Sequence, residues 1–205
     1  MIDTQKFIEL VSKCKKIRTK KYKKGELITT YIPNRSQIGV ILEGSADLIR
    51  YDLDGNRNII DRFNAGNIYG EIFHNKGNVN GLIIEAVTNV IIAQFEYNDI
   101  INKCNNNCLV HEKINSEISH IVLEKVQFLN TRIELLTKRS TREKILAYFT
   151  LVSKGKINKS FRLPFSYTDL ADYLNVDRSA MTREIRSLVE DGFIRKDNRN
   201  ITILY

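Results

Sequence analysis

The chain of 205 residues is 42% hydrophobic and 27% charged, with a formal net charge of +8 at pH 7. This length accommodates one large domain or two small ones. No apolar run approaches the ~20 residues of a membrane-spanning helix, and the start of the chain lacks the pattern of a signal peptide. We therefore expect a cytoplasmic protein without membrane contact. Its three cysteines are then expected to be thiols, namely Cys14, Cys104 and Cys108.

The first hundred residues have the pattern of a β domain that follows a short helix. Eight of the ten glycines precede residue 82, and they separate short runs rich in β-branched residues. Asp54-Gly55 lies between two such runs and is a strong hairpin signal. We predict a helix over residues 3–14 and a sandwich or barrel-like roll over residues 17–97.

From about Asn98 the pattern is helical, because glycine and proline are absent until Gly155. Two adjoining apolar rows recur at helical spacing, and so broad a stripe must be buried. It packs either on the chain's own β domain or on the same helix of a second copy. We favour the second copy, because two-fold DNA readers need two recognition helices one turn of DNA apart. The predicted dimerisation residues are Ile114, Ile118, Ile121, Lys125 and Phe128.

A second helix is predicted at residues 141–152, and a polar connector with a short β segment follows it. Residues 166–194 then have the pattern of two helices joined by a tight turn. Ser166 and Asp169 form an S-x-x-D capping pattern, and Asp177 can cap the second helix. Asp191-Gly192 ends this helix, and residues 193–205 are predicted to form a two-stranded wing.

The second helix of this pair carries arginines and hydroxyls on the face opposite its apolar residues. Arginine can grip guanine with two donors, and hydroxyls can contact bases or phosphates. Residues 138–205 contain 14 Lys/Arg against 8 Asp/Glu, so the positive charge is concentrated there. We predict double-stranded DNA as the partner, bound by Ser166, Thr168, Arg178, Ser179, Thr182, Arg183 and Arg186.

A glycine-punctuated β roll, a long helix and a winged helix–turn–helix, in this order, resemble the Crp/Fnr family of bacterial transcription regulators. The matching residues are Lys24–Glu26, Ile41–Ala46, Asp54–Arg57 and Ala65–Glu71 in the roll, and Arg178, Ser179 and Arg183 in the recognition helix. The resemblance implies an α+β fold with a jelly-roll-like N-terminal roll, a long dimerisation helix and a C-terminal DNA-binding domain. We place these parts at residues 1–100, 101–137 and 138–205.

The resemblance further implies a homodimer that binds an inverted-repeat promoter site, an effector in the roll and, in many members, contact with RNA polymerase. The effector pocket is then expected at Gly70, Glu71, Ile72, Asn80, Gly81, Leu82, Phe128 and Leu129. Members that bind cyclic AMP have an arginine for its phosphate after the Gly-Glu pair. Here Val79–Leu82 stand in that place, and no arginine occurs between Arg62 and Arg132. We therefore predict that cyclic AMP does not bind, because a desolvated phosphate needs a cation.

Relatives often have Glu at the position of Ser179, so we do not expect this chain to share their operator sequence. We predict no metal, no cofactor and no enzymatic activity, because no nucleophile–base arrangement or phosphate loop is recognisable. A haem- or redox-based sensor with the same DNA output is one alternative, and a cyclic-nucleotide-binding module is another. The candidate redox groups or ligands of the sensor are the three cysteines together with His74, His111 and His120.

Overall fold

A computed structural model describes residues 4–13, 17–30, 37–70, 81–96 and 109–205 of the chain. The chain forms two compact units, Met1–Val126 and Gln127–Tyr205. The division falls inside a long helix, and the domain boundaries expected at residues 100 and 137 stay predictions. None of the described helices is both long enough and apolar enough to cross a membrane.

The described residues of the first unit form one short helix, eight strands and most of the long helix. Their bounds are α1 Thr4–Ser12, β1 Arg18–Tyr22, β2 Leu27–Thr30, β3 Gln37–Glu43, β4 Ser45–Tyr51, β5 Arg57–Asn64, β6 Ile68–Tyr69, β7 Leu82–Ala86, β8 Val90–Glu96 and α2 Leu109–Leu136. The α+β architecture and the β-rich first part that the sequence predicts are confirmed.

The strands form two antiparallel sheets, in the orders β1-β8-β3-β6 and β2-β7-β4-β5. A buried apolar cluster lies between the sheets, because each sheet contributes alternate residues to it, such as Ile92 from β8 and Ile84 from β7. The hairpin expected at Asp54-Gly55 joins β4 to β5, and Gly55 has a φ of +82° that favours glycine. Gly44 is required for a second reason, since a Cβ there would lie 2.1 Å from the Asn89 carbonyl oxygen.

The other face of the sheet containing β3 and β8 is covered by α1 and by the first part of α2. Ile114 of α2 is 1% exposed in this second cluster, together with Phe7, Val40 and Phe95, and Ile118 and Ile121 pack against it. Three of the residues predicted to join two copies are therefore occupied by the roll of their own chain. The alternative that this row packs on its own β domain describes their placement, and the dimer contact stays a prediction.

Lys125 is the fourth predicted dimerisation residue, and its ammonium also faces the roll. Lys125 Nζ lies 2.7 Å from Asp61 Oδ2 of β5 and 5.1 Å from the centre of the Phe63 ring. The Asp61 side chain is only 11% exposed, so its carboxylate depends on a cation to balance the loss of water. Lys125 thus fastens α2 to the roll.

The second unit consists of the end of α2 and a small α/β domain. Its elements are α3 Thr141–Ser153, β9 Ser160–Arg162, α4 Tyr167–Leu174, α5 Arg178–Glu190, β10 Ile194–Asp197 and β11 Asn200–Ile203. Ser140 and Glu143 form a capping box at the start of α3. The strands form an antiparallel sheet in the order β10-β11-β9, so the predicted wing gains a third strand from the connector.

Replacing Lys125 with Met removes the cation that Asp61 pairs with. We expect the free energy of unfolding to fall by about 2 kcal/mol, because a buried carboxylate is left without its partner. Urea unfolding followed by circular dichroism measures this loss. Lys113→Met, at an exposed position of the same helix, is the control. Equal stability of the two variants would contradict a holding role for Lys125, and the double variant Asp61→Leu/Lys125→Met is expected to recover part of the loss.

Candidate nucleic-acid interface

The first helix of the predicted pair begins where its capping residues place it. The Ser166 hydroxyl accepts a hydrogen bond from the Asp169 backbone N–H at 3.1 Å and donates to the Asp169 carboxylate at 2.9 Å. Leu170, Ala171 and Leu174 bury the inner face of α4. The Ser166 hydroxyl is therefore committed to capping α4. Thr168, two residues further along, is exposed.

A left-handed residue makes the turn between the two helices. Asn175 has a φ of +50°, a conformation that asparagine tolerates better than most residues. The Asp177 carboxylate then accepts from the Ala180 backbone N–H at 2.8 Å and caps α5. The turn and both caps lie where the sequence pattern predicts them.

The second helix, α5, has one buried face and one exposed face. Met181, Ile185 and Leu188 are at most 3% exposed and belong to the core of the second unit. Because that face is fixed, the opposite face is presented to solvent. All five predicted DNA-contact residues of this helix are exposed there, namely Arg178, Ser179, Thr182, Arg183 and Arg186.

Hydrogen bonds link three side chains along the exposed face of α5. The Ser179 hydroxyl donates to Asp177 Oδ1 at 2.6 Å, and Arg183 Nη1 donates to the Ser179 oxygen at 3.4 Å. The pKa of Asp177 lies below its ordinary value of 3.8, because its carboxylate accepts hydrogen bonds from the Ser179 hydroxyl and the Ala180 N–H and lies near the charge of Arg183. The sequence pattern gave Asp177 a capping role only, but the carboxylate also orients the start of the candidate reading surface.

Thr182 has its hydroxyl proton committed within the helix. Its Oγ1 donates to the Arg178 carbonyl oxygen at 2.9 Å. A hydroxyl that donates in this way still offers its lone pairs. Thr182 can thus accept from a base or from a water molecule, but it is a poor donor to DNA.

Two arginines that sequence reasoning did not single out hold the unit together. Arg142 of α3 donates to Ser187 at 3.1 Å and to Asp191 at 2.6 Å, so it ties α3 to the end of α5. The Arg132 guanidinium lies 3.6 Å from the centre of the Tyr173 ring and donates to the Tyr173 carbonyl oxygen. No local signal reveals these roles, because each partner is distant in sequence.

The comparisons with known proteins agree with this geometry. Residues 140–205 match the family model of the Crp-like helix-turn-helix domain. These residues form a Crp-like helix-turn-helix domain. The predicted resemblance to Crp/Fnr regulators is confirmed for this domain by the family model and for the fold by the solved structures. No curated protein sequence was found to match the chain.

Solved structures share the fold over nearly the whole chain. The c-di-GMP-responsive global regulator CLP of Xanthomonas campestris is 14% identical, with a TM-score of 0.77 over 98% of this chain and 99% of its own. FixK2 of Bradyrhizobium japonicum is 17% identical, with a TM-score of 0.68 over 92% and 93% of the two chains. TTHA1359 of Thermus thermophilus, a Crp/Fnr-family transcriptional regulator, is 23% identical, with a TM-score of 0.62 over 92% and 94%. Identities this low show the fold alone.

Outside the Crp-like domain, the predicted effector pocket is only partly visible. Glu71, Ile72 and Asn80 lie outside the described residues. Leu82 is 2% exposed and belongs to the core of the roll. The other predicted residues are placed as follows: Gly70 is buried, Gly81 is exposed, Phe128 is half-buried and Leu129 is exposed.

The candidate ligands of a metal or haem are mostly not described. Cys14, Cys104, Cys108 and His74 lie outside the described residues, as does the side chain of His111, and His120 is exposed on α2. Within the part of the chain that the structure describes, no three His, Cys, Asp or Glu residues lie close enough to share a metal ion. The absence of a cofactor stays a prediction.

Replacing Asp177 with Ala removes the acceptor for both Ser179 and the Ala180 N–H, so we expect a lower thermal midpoint at pH 7. Since the pKa of Asp177 is lowered in the fold, its stabilisation is present above the ordinary carboxyl pKa and is lost as pH falls through the lowered one. The difference between wild type and variant is therefore widest near neutral pH and closes in acid.

Thermal unfolding at a series of pH values measures this difference. Asp177→Asn is the control, because asparagine is an equally good cap without a charge. It should keep more of the midpoint at pH 7 than Asp177→Ala does. A midpoint difference that does not change with pH would show that the carboxylate charge has no part in the cap.

Proposed function

We propose that this chain is a homodimeric, sequence-specific transcriptional regulator that binds an inverted-repeat site with one α5 helix in each half-site. The exposed face of α5 carries the proposal, because Arg178, Arg183 and Arg186 are exposed there on a helix whose other face is buried. A helix fixed in this way can enter a major groove without reorganising the domain that carries it.

Arg178 and Arg183 are the proposed readers of guanine, since an arginine can donate to guanine O6 and N7 together. Arg183 uses one donor on Ser179, and the guanidinium has five. Arg186 and Thr168 are proposed to contact phosphates and sugars, which position the protein without reading sequence. The excess of 14 Lys/Arg over 8 Asp/Glu in residues 138–205 supports such a polyanionic partner.

The proposed dimer contact is an exposed apolar row of α2. Val122, Val126, Leu129 and Ile133 are between 44% and 60% exposed and recur at spacings of four, three and four residues. This spacing is that of the a and d positions of a two-stranded coiled coil. It lies beside the row that packs on the roll, so one helix can serve its own chain and a partner at once. We therefore place the dimer interface here rather than at Ile114, Ile118, Ile121, Lys125 and Phe128.

The roll is proposed to sense a small molecule other than cyclic AMP. The chain has no arginine between Arg62 and Arg132 to pair with a cyclic phosphate. CLP is described as responsive to c-di-GMP. Calorimetric titration of this chain with that nucleotide tests whether it binds the same ligand. The proposal also includes contact with RNA polymerase and a location inside the cell, beside the chromosome. It further holds that the chain has neither catalytic activity nor a resident cofactor.

Arg183→Ala is expected to weaken binding to an operator obtained by selection from random duplexes. The loss should be about 5- to 150-fold for each half-site, since base discrimination by such an arginine is worth about 1–3 kcal/mol. Footprinting and fluorescence anisotropy measure it. Arg183→Lys is the matched control, because it keeps the charge but loses the paired donors.

The control variant should keep the affinity of wild type for random duplexes and still lose most of its affinity for the operator. Footprints of Arg183→Ala that equal those of wild type would show that α5 does not read the site. Failure of the wild-type chain to bind any duplex would contradict the proposed function as a whole.

Leu129→Lys is expected to convert the dimer into monomers, because it places a charge in the apolar row without touching the core of either unit. Analytical ultracentrifugation measures the change. Thr131→Lys, at an exposed position two residues along the same helix, is expected to stay dimeric. A wild-type chain that sediments only as a monomer, even with operator DNA, would contradict this interface.

A further inference from the structure

The wing is fastened to the start of α4 by side chains that the reading surface of α5 does not use. Tyr167, the first residue of α4, donates its hydroxyl proton to the Asn198 carbonyl oxygen at 2.6 Å. Asn198 lies in the turn between β10 and β11 and has a φ of +51°. On the other side of this turn, the Leu163 N–H donates to the Arg199 carbonyl oxygen at 2.8 Å, and Arg199 Nη2 donates to the Leu163 carbonyl oxygen at 2.6 Å. The turn is therefore held in a defined place.

The ring of Tyr167 also holds a cation. Lys196 of β10 is exposed, and its Nζ lies 4.7 Å from the centre of the Tyr167 ring. An ammonium at this distance from an aromatic face is attracted to it. Lys196 pairs with Ile201 in the sheet, and Ile201 is fully buried. Lys196 thus lies at the edge of the inner face of the wing sheet, and its charge is drawn to the first turn of α4.

The hydroxyl of Tyr167 stays protonated near neutral pH and therefore remains a donor there. Burial raises the pKa of Tyr167, and the positive charge of Arg199 opposes this shift without cancelling it. The hydrogen bond to Asn198 is accordingly not exposed to titration near neutral pH. One side chain then fixes both the wing turn and a lysine of the wing.

We propose that Tyr167 is a positioning residue for DNA binding, which holds Lys196 beside the start of α4 so that the ammonium contacts a phosphate of the duplex. The inference rests on the proposed function, since it assigns a further contact to the DNA that α5 reads. Lysine is a compact charge with three rotatable donors, which suits a phosphate better than a base edge. Its flexible stem loses entropy on binding, and a lysine already held by an aromatic ring loses less.

Phosphate contacts can be counted without knowledge of the operator. Each phosphate that a cation neutralises adds about 0.9 to the slope of log K against log salt concentration for duplex DNA. The probe is a fluorescently labelled duplex of random sequence, titrated with the full-length chain between about 50 and 200 mM NaCl. The variants are Lys196→Met, Tyr167→Leu, Tyr167→Phe, the double variant Tyr167→Leu/Lys196→Met, and Arg195→Met as the matched control. Arg195 is an exposed cation one residue along β10, on the opposite face of the sheet.

Lys196→Met is expected to lower the magnitude of the slope by about 0.9 for each subunit on the duplex, or about 1.8 for the homodimer, and Tyr167→Leu should lower it by the same amount. The double variant should show no further decrease, because both changes remove the same contact. Tyr167→Phe keeps the ring beneath the ammonium, so it should keep the slope, while the amide protons of residues 197–200 exchange faster. Arg195→Met should leave the slope within about 0.3 of wild type, since its charge is not held beside α4.

Three results would overturn the proposal. A wild-type slope for Lys196→Met would show that this lysine does not contact phosphate. A wild-type slope for Tyr167→Leu beside a reduced one for Lys196→Met would show that the lysine needs no positioning. Equal losses for Arg195→Met and Lys196→Met would show that total charge, not placement, governs binding. In each case the wild-type chain still binds the duplex, so the proposed function survives, whereas a wild-type chain that binds no duplex removes both.

Discussion

Burial of one face of α5 is the constraint on which the candidate interface depends. Met181, Ile185 and Leu188 fill the core of the second unit, so the helix cannot rotate about its axis without exposing them. The opposite face is fixed by the same packing, although none of its residues needs to contact the protein. The exposed side chains of α5 thus extend from a backbone that packing holds in place. The helices α3 and α4 and the wing contribute to that packing.

Several of the described cations are committed to partners within their own unit. Arg142 pairs with Asp191, Arg132 with the ring and carbonyl of Tyr173, and Lys125 with Asp61. Arg132 and Lys125 are poorly available to DNA, since their release would leave a buried acceptor without a donor. The exposed arginines of α5 do not balance a buried acceptor in this way. Net charge alone therefore overstates the surface that a polyanion can use, and the contacts of each side chain decide its role.

Local signals carried most of what the sequence could predict. The caps at Ser166 and Asp177 and the hairpin at Asp54-Gly55 depend on neighbours within a few residues, and the structure has all three. The faces of α2 could not be assigned in this way, because two apolar rows lie side by side and only the packing of the roll selects between them. The role of Lys125 was equally hidden, because Asp61 lies 64 residues away.

The chain of Asp177, Ser179 and Arg183 constrains how this helix can read DNA. Ser179 gives its only proton to Asp177 and accepts from Arg183, so it has no donor left for a base. Arg183 commits one donor of five and keeps enough for a bidentate contact. Under the proposed function, the arginine would set the sequence preference at this end of the helix, while the serine and the aspartate determine where the guanidinium lies. Because serine has a shorter side chain than the glutamate of many relatives, specificity would then depend on Arg183 and not on position 179.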